Sequence, residues 1–364
     1  MALLDTTVGP VDRGLLVGSL LQGAWRVVPG AASLSPNELE LILPILIHSG
    51  TGSLAWRRIR NTPLGSSAPG QRLHTARRIQ AAEAAIRAGQ IERVLSLDGM
   101  READPILVKG WANGRFYPED GLRRYTDIDL IVRPDRYEAA VRAAARMVPA
   151  DPDRAIPVDI QRNLRDVPDR SWEQISARSC LVSLGNGQVT VLGDEDTLRL
   201  ACLHLLHHSG FHPIWLCDVG ALLESLPVDF DWDYCLGGQP RRTKWMLAVI
   251  RLANQLLGAS LDLCPAGLAP RTVPRWMVRT ILARWGTEAS FQHPWPRPRR
   301  ILSVMRTDPR RLPDAVTSQW PDPLKAVGRL GWPINDLSGR TAQILYFTAR
   351  PVYRIVRHRL LRRK

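Results

Sequence analysis

The chain has 364 residues, 45% of them hydrophobic, which is enough for two or three packed units with apolar cores. No apolar run approaches the roughly 18 residues of a membrane-spanning helix, and the N-terminus lacks the basic-then-apolar order of a signal peptide. The five cysteines are scattered and odd in number, without a Cys-x-x-Cys pair, as in a protein with reduced thiols. Together these features disfavour an integral membrane protein and a disulfide-rich secreted domain, and we expect a cytoplasmic protein.

The formal net charge of +14 is concentrated near the C-terminus. Residues 291–364 hold 16 Lys and Arg against 4 Asp and Glu, whereas the other 290 residues hold 33 against 31. We expect a Pro- and Arg-rich connection over 291–323 and a basic helix over 338–364, interrupted at Pro351. Such a helix binds an anionic membrane surface, a nucleic acid or an acidic partner, or is docked with its arginines solvated. The sequence leaves these alternatives open, and peripheral membrane association is among them.

Residues 1–100 are predicted to be mostly helical. Ser35 is placed to cap a helix that starts with Pro36, and a long helix is predicted over 74–97 on an apolar stripe that includes Ile79 and Ile86.

Residues 101–192 are predicted to form a mixed α/β core, which makes the fold class α+β. The predicted elements are a strand at 104–109, a short helix at 111–117, a strand that carries Asp127 and Asp129, a helix from Pro134 to about Met147, a strand at 155–160, and a hairpin at 180–192 around Gly185-Asn-Gly187. Residues 193–290 are predicted to be mostly helical, and the basic segment 291–364 follows.

The most informative residues are two acids at the start of the apolar run Leu130–Val132. Because side chains alternate along a strand, Asp127 and Asp129 are expected on one face, with Ile128 on the other. Adjacent carboxylates repel each other, and a cation such as Mg²⁺ relieves that repulsion. Asp-x-Asp alone is more often a solvated strand edge, so its surroundings decide the interpretation.

A third acid, Asp159, lies between Val158 and Ile160, an unusual position for an unpaired carboxylate. Only a helix and a loop separate its strand from that of Asp129, so the two strands can pair and bring the three acids together. The alternative is an exposed edge strand, which Pro157 would suit.

Positive charge and a glycine precede the acidic pair. Gly110 directly follows the first strand, where a glycine allows close approach of the backbone to a phosphate. Lys109 and Arg123 can supply the matching charge.

A later helix, predicted from Asp194 to about Ser209 and stopped by Gly210, carries His204 and His208 as i, i+4 neighbours. They could contact a nucleotide, a metal or an acceptor. Asp218 fits either a residue that orients one of them or an acid on a helix surface. The sequence favours a simpler interpretation, in which both histidines are hydrogen-bonded polar side chains at a helix–sheet junction, because no His-Glu-x-x-His or cysteine ligand set accompanies them.

These motifs resemble a nucleotidyltransferase family with the polymerase-beta-like nucleotidyltransferase fold, over roughly residues 75–225. The matching motifs are Val108-Lys109-Gly110, Tyr117-Pro118-Glu119, Arg123, Asp127-Ile-Asp-Leu-Ile-Val132, the third acid Asp159, the helix Asp196–His208 with its spaced histidines, and Trp215-Leu-Cys-Asp218-Val219. Two departures stand out. Gln161-Arg162 follows the third acid where the family often has His-Trp, and Lys109-Gly110-Trp111 replaces the Gly-Ser of better-studied relatives of this fold.

The resemblance implies transfer of a nucleoside monophosphate from a nucleoside triphosphate to an acceptor, with Mg²⁺ or Mn²⁺ as cofactor. Asp127, Asp129 and Asp159 would be the catalytic and metal-binding residues. Lys109, Gly110, Arg123, His204 and His208 would contact the nucleotide. The acceptor class stays open among a small molecule, a peptide, a protein and an RNA, with anionic acceptors favoured by the basic C-terminal segment.

Two rival interpretations remain. A glycosyltransferase would use Asp-x-Asp to hold a nucleotide-sugar through a metal, but there the pair usually ends an apolar strand, whereas here the apolar run follows it. A non-catalytic nucleotidyltransferase-like module, anchored by its basic C-terminus, is disfavoured by the presence of all three acids and Lys109.

Overall fold

A computed structural model describes residues 8–147, 155–164, 166–268 and 272–287, together with Leu324. The predicted basic connection, 291–323, and the predicted C-terminal helix, 338–364, therefore lie outside the described residues. The chain divides into two units, residues 1–272 with 282–288 and residues 273–281 with 289–364. The candidate site lies entirely within the first unit.

The N-terminal region is helical, as predicted. Its helices are α1 (Pro10–Leu21), α2 (Pro36–His48), α3 (Gly52–Ile59), α4 (Ala68–Ser96) and α5 (Asp98–Arg101), with a 3₁₀ turn at Pro63–Ser66. Helix α2 begins with a capping box, in which Ser35 and Glu38 satisfy each other's backbone N–H groups. Helix α4 starts six residues earlier than the apolar stripe indicated, because the Ser67 side chain caps it by accepting from the Gly70 N–H.

A mixed five-stranded sheet follows, in the order β3-β2-β1-β5-β4. Its strands are β1 (Ile106–Val108), β2 (Ile128–Ile131), β3 (Val158–Gln161), β4 (Cys180–Leu184) and β5 (Gly187–Val191). Strands β1 and β2 are antiparallel, β2 and β3 are parallel, and β1 and β5 are parallel. The predicted hairpin is present as the antiparallel pair β4–β5, with Gly185 at φ 54° in its turn.

Helices connect these strands and continue after them. They are α6 (Gly110–Gly114), α7 (Tyr137–Ala145), α8 (Trp172–Arg178), α9 (Asp194–His207), α10 (Pro213–Leu223), α11 (Trp232–Leu236), α12 (Pro240–Leu257) and α13 (Arg275–Trp285). None of the helices in the described ranges is both long and apolar enough to cross a bilayer.

Each face of the sheet packs against its own layer of helices. One face buries Leu107, Ile128, Leu130, Val132 and Ile160 beneath α4, α5 and α7. The opposite face buries Ile106, Val108 and Ile131 beneath α8, α9 and the loop that follows β3; the residues packed there from these elements include Leu164, Val167, Trp172, Ile175 and Leu200. The alternation predicted for the second strand is therefore present, and its acidic side chains fall on the α9 face.

The structure changes two predicted boundaries near the acidic residues. Strand β2 begins at Ile128, so Asp127 precedes the ladder instead of belonging to it. Helix α6 ends at Gly114, three residues before Tyr117. The chain turns there because the buried hydroxyl of Tyr117 donates to Asp218, which fixes it outside the helix.

Candidate functional site

The carboxylates predicted to act together lie on two neighbouring strands. Asp129 of β2 and Asp159 of β3 are register partners in the parallel ladder, so their side chains leave the same face of the sheet. Asp129 is 5% exposed, whereas Asp127 and Asp159 are half-buried. The side chain of Gln161 donates to Asp159 Oδ2 at 2.7 Å. The structure thus brings Asp159 beside Asp129, as the order of elements along the chain suggested.

Helix α4 fixes the approach to both acidic strands. The buried Arg87 donates to the carbonyl of Tyr125 at 2.7 Å, two residues before Asp127. The Gln90 amide donates to the carbonyl of Ile156 at 2.7 Å and accepts its N–H at 3.0 Å, three residues before Asp159. Sequence reasoning missed both side chains, because polar residues on an exposed-looking helix stretch give no sign of a distant backbone partner.

Lys109 lies directly on the buried acid. Its ammonium group donates to Asp129 Oδ1 at 2.8 Å. Burial raises the pKa of Asp129, with a further contribution from Asp127, and the charge and hydrogen bond of Lys109 offset part of that rise. Lys109 itself has φ 56°, an uncommon backbone conformation for a side chain of its size. This conformation aims the lysine at the acidic residues as the chain leaves β1.

Gly110 lies where the backbone turns closest to the acidic segment. Its φ is 23°, and a Cβ added there would stand 3.3 Å from Tyr125 Cβ and 3.5 Å from the carbonyl oxygen of Asp127. Glycine therefore permits both the positive φ and the close approach of α6 to the residues before β2.

Arg123 has a different immediate partner from the phosphate that was expected. Its side chain is 8% exposed and pairs with Asp218 of α10, at 2.9 Å from Nη2 to Oδ2. Asn113 Nδ2 and the Tyr117 hydroxyl also donate to Asp218, at 3.2 and 2.8 Å. Burial would lower the pKa of Arg123, but the charge and hydrogen bonds of Asp218 outweigh it and raise that pKa. Asp218 therefore holds α6, the following turn and Arg123, and the acid that pairs with His204 is a different one.

The acid that binds the histidines is Asp166, in the loop after β3. His204 Nδ1 lies 3.3 Å from Asp166 Oδ2, and His207 Nδ1 lies 2.9 Å from Asp166 Oδ1. Burial alone would raise the pKa of Asp166, but its hydrogen bonds with the two imidazoles bring that pKa far below the usual range. Asp166 was not singled out from the sequence, because a lone acid in Leu-Arg-Asp-Val matches no motif.

His208 and Trp215 complete an aromatic cluster with His204. The ring centroids of His204 and His208 are 4.4 Å apart, and Trp215 lies 5.0 Å from the first and 5.2 Å from the second. His212 meets Trp215 edge-on at 4.8 Å. Burial lowers the pKa of His208 to about 3, and the positive charges of His204, His207 and Lys109 act in the same direction.

Helix α9 brings this cluster over the acidic residues. Leu200, Leu203, His204 and His207 follow the i, i+3, i+4, i+7 spacing of one helical stripe. The two leucines pack on the face of the sheet that carries Val108, the register partner of Asp129. Positive charge on His204 lowers the pKa of Asp129, which places the imidazole within electrostatic range of that carboxylate. The expectation of a helix–sheet junction is therefore confirmed, and the junction is the acidic one.

The donor chemistry of this face fits a hard divalent cation. Asp127, Asp129 and Asp159 offer carboxylate oxygens, the ligands that Mg²⁺ prefers. Across the described ranges, however, no three Asp, Glu, His or Cys side chains are gathered as a metal-binding group. The Lys109 ammonium and the Gln161 amide each occupy a carboxylate oxygen in this arrangement.

Of the comparisons with known proteins, one identifies a family, and that family is consistent with the site described above. No curated protein and no solved structure matches the chain significantly. A family model described as "Uncharacterised nucleotidyltransferase" matches residues 35–258, which cover helices α2–α12 and the whole sheet. The chain therefore belongs to this uncharacterised nucleotidyltransferase family.

Proposed function

We propose that the protein is a Mg²⁺-dependent nucleotidyltransferase that moves a nucleoside monophosphate from a nucleoside triphosphate to an acceptor hydroxyl or phosphate. The observation that carries the proposal is the pairing of Asp129 with Asp159 across two parallel strands. Asp127 comes immediately before the first of these strands, and Lys109 is bonded to Asp129. Family membership supports the reaction class.

In this proposal, Asp127 and Asp129 hold the cation, and Asp159 lies beside them on the next strand. A divalent cation held there would supply positive charge to neutralise the phosphate oxygens. Lys109 is bonded to Asp129 before substrate arrives, and the negative charge of a triphosphate gives its ammonium a second partner. Gly110 keeps the backbone next to Lys109 free of a side chain that would fill the approach.

Arg123 contributes differently from a mobile phosphate ligand. Its charge is balanced by Asp218, and it contacts the Arg124 carbonyl at 3.0 Å. We assign it to fixing the segment from Arg124 to Asp127, with a long-range electrostatic effect on the nucleotide. This assignment predicts that substitution of Arg123 mainly lowers the free energy of unfolding and has a smaller effect on the affinity for nucleotide.

The catalytic interpretation is stronger than that of a non-catalytic module. Placing two carboxylates side by side on one face of the sheet costs free energy through repulsion and desolvation. A module that only binds a partner has no need of that arrangement. An enzyme that handles a cation and phosphates gives that arrangement a use. The His204 and Asp166 side chains on the same face add groups that can accept and orient a proton.

The test is calorimetric titration of each of ATP, GTP, CTP and UTP into the full-length protein with Mg²⁺. We expect one or more to bind with the metal and not with EDTA, and the Asp127→Asn/Asp129→Asn double variant to lose that binding. The matched control is Asp135→Asn/Glu138→Gln, which removes the same number of charges from exposed positions. Failure of the folded wild type to bind any of the four, or equal binding by the acidic-site variant, contradicts the proposal.

A further inference from the structure

The histidines of α9 do not contribute equally to the face that carries the acids. His204 and His207 both donate Nδ1–H to one carboxylate, Asp166, through separate oxygens. A ring whose Nδ1 carries the proton for that bond leaves Nε2 as its lone-pair nitrogen while it is neutral. The His204 side chain is 17% exposed and the His207 side chain 63% exposed. His204 is therefore sheltered above the sheet, whereas His207 points largely to solvent.

We propose that His204 is a catalytic residue that accepts the proton of the acceptor hydroxyl through Nε2, and that Asp166 is the positioning residue that fixes its tautomer. The proposal rests on the nucleotidyl transfer proposed above. In the step, the acceptor O–H proton passes to His204 Nε2 and the oxygen electron pair forms a bond to the α-phosphorus. The bond from the α-phosphorus to the bridging oxygen breaks, and pyrophosphate leaves with that electron pair.

The geometry distinguishes His204 from its neighbours. Burial holds the pKa of His208 at about 3, so its imidazole is a weak base. His207 binds the same carboxylate but is mostly in solvent. His212 meets Trp215 edge-on, and burial lowers its pKa to about 4. His204 alone among these four combines partial burial, a carboxylate on Nδ1 and a position on the α9 stripe that covers the acidic face.

Asp159 is the alternative proton acceptor, since it is the third acid of the site. It is the register partner of Asp129, and one of its carboxylate oxygens already accepts a hydrogen bond from Gln161. An imidazole is the side chain most often used for proton transfer near neutral pH, and a carboxylate–imidazole pair is a common way to orient one. In this proposal the acids hold the cation, and His204 of α9 accepts the proton.

The charged groups that act on the histidine cluster come from several elements. Asp166 lies in the loop after β3, Asp129 lies on β2, and Lys109 lies between β1 and α6. His207 and His208 lie at the end of α9, His212 directly precedes α10, and the charges of His48 on α2 and of Arg123 act on His212. A pH profile must therefore be measured on single variants, so that the contribution of His204 is separated from those of its neighbours.

The first test reads the tautomer directly by ¹⁵N NMR of the imidazole side chains in the full-length protein. We expect His204 to carry its proton on Nδ1 and its Nε2 resonance to move when Mg²⁺ and the nucleoside triphosphate identified by calorimetry are added. Asp166→Asn should redistribute the proton between the two ring nitrogens. A His204 resonance that does not respond to a bound nucleotide, or a tautomer unchanged in Asp166→Asn, overturns the proposal.

The second test measures pyrophosphate release from that nucleotide between pH 5.5 and 9, with water and glycerol as generic hydroxyl acceptors. We expect His204→Gln to lower the rate by about 100-fold or more, to remove the acid limb of the profile and to respond to added imidazole, with nucleotide affinity retained. His74→Gln is the matched control, because His74 lies on α4 and is stacked on Trp56.

A His204→Gln rate within about threefold of wild type overturns the proposal. If wild type releases no pyrophosphate, the NMR response decides it. Loss of nucleotide binding by wild type itself would instead show failure of the proposed function.

Discussion

Arg123 and Asp218 form a buried ion pair that connects the segment before β2 to helix α10, with 2.9 Å between Nη2 and Oδ2. Asp218 also accepts hydrogen bonds from Asn113 and Tyr117, so one carboxylate joins α6, the turn after it and the residues leading to Asp127. The position of the acidic residues therefore depends on an acid that is 95 residues from Arg123 in the chain.

We predict that Asp218→Asn destabilises the protein by about 3–5 kcal/mol, the usual cost of leaving one partner of a buried ion pair without its counter-charge. The Arg123 guanidinium would stay buried without a negative partner, and the new amide cannot accept all the donors that the carboxylate does. Urea denaturation followed by circular dichroism measures the change in the free energy of unfolding.

The matched control for this prediction is an exposed pair. Glu138 and Arg162 are joined at 2.5 Å, but their side chains are 63% and 56% exposed. Glu138→Gln should change the free energy of unfolding by less than about 1 kcal/mol, because water screens such a pair. Equal effects of Asp218→Asn and Glu138→Gln would show that the Asp218 contacts do not support the fold as described.

Gly110 and Gly114 provide a second, internally controlled prediction within α6. Gly110→Ala should cost about 1–3 kcal/mol and weaken nucleotide binding, because its φ of 23° is strained for alanine and its Cβ would meet Tyr125 at 3.3 Å. A Cβ at Gly114 meets nothing within 4 Å, so Gly114→Ala should be neutral or slightly stabilising. Thermal denaturation and nucleotide titration of both variants check this. A Gly110→Ala protein as stable and as competent in binding as Gly114→Ala would contradict the assigned role.

The order of elements was predictable because each one has a local signal. The capping residue Ser35, the apolar run after Asp129 and the turn Gly185-Asn-Gly187 determine structure through their immediate neighbours, and the helix, strand and hairpin they predicted are present. The sequence allowed the pairing of Asp129 with Asp159 but did not decide between it and an exposed edge strand, and the structure has the two acids paired.

Partners that are distant in sequence were not predictable in the same way. Asp166 binds His204 and His207 from a loop without a motif, and Gln90 binds the backbone of Ile156 from 66 residues away. A polar side chain has the same appearance in a sequence whether it faces water or a buried carbonyl. The pairing of Arg123 with Asp218 was missed for that reason, because a positive charge in a sequence fits a phosphate and a buried carboxylate equally well.

The low imidazole pKa values predict how stability depends on pH. His208 and His212 have pKa values of about 3 and 4 in the folded protein, mainly because they are buried, against about 6.5 in the unfolded chain. Between these values the unfolded state binds more protons, so stability is lost as the pH falls from 6.5 towards 4. Each imidazole should contribute up to about 1.4 kcal/mol per pH unit to that slope.

Urea denaturation at pH 7, 6 and 5 measures this slope. His208→Gln and His212→Gln should each flatten it, whereas His74→Gln, on the N-terminal helix α4, should leave it unchanged. A slope that survives in the His208→Gln/His212→Gln double variant would assign the acid sensitivity to other groups.

Removal of Lys109 should give a pH dependence of stability opposite in sign to that of the buried histidines. Burial already raises the pKa of Asp129, and Lys109→Met would raise it further by deleting the charge at 2.8 Å. The variant should be less stable than wild type by about 3 kcal/mol at pH 7.5, because a buried carboxylate is left without its counter-charge. An acid whose folded pKa lies above its unfolded value near 4 makes the folded protein more stable as the pH falls through the folded pKa, so this difference should shrink towards pH 5.

Urea denaturation of both proteins at the two pH values gives the difference in the free energy of unfolding, and comparing them at each pH cancels the histidine contribution. Lys109→Met/Asp129→Asn should recover most of the stability and show no such pH dependence. A difference that stays constant from pH 7.5 to pH 5 would mean that Asp129 is not the group that Lys109 stabilises.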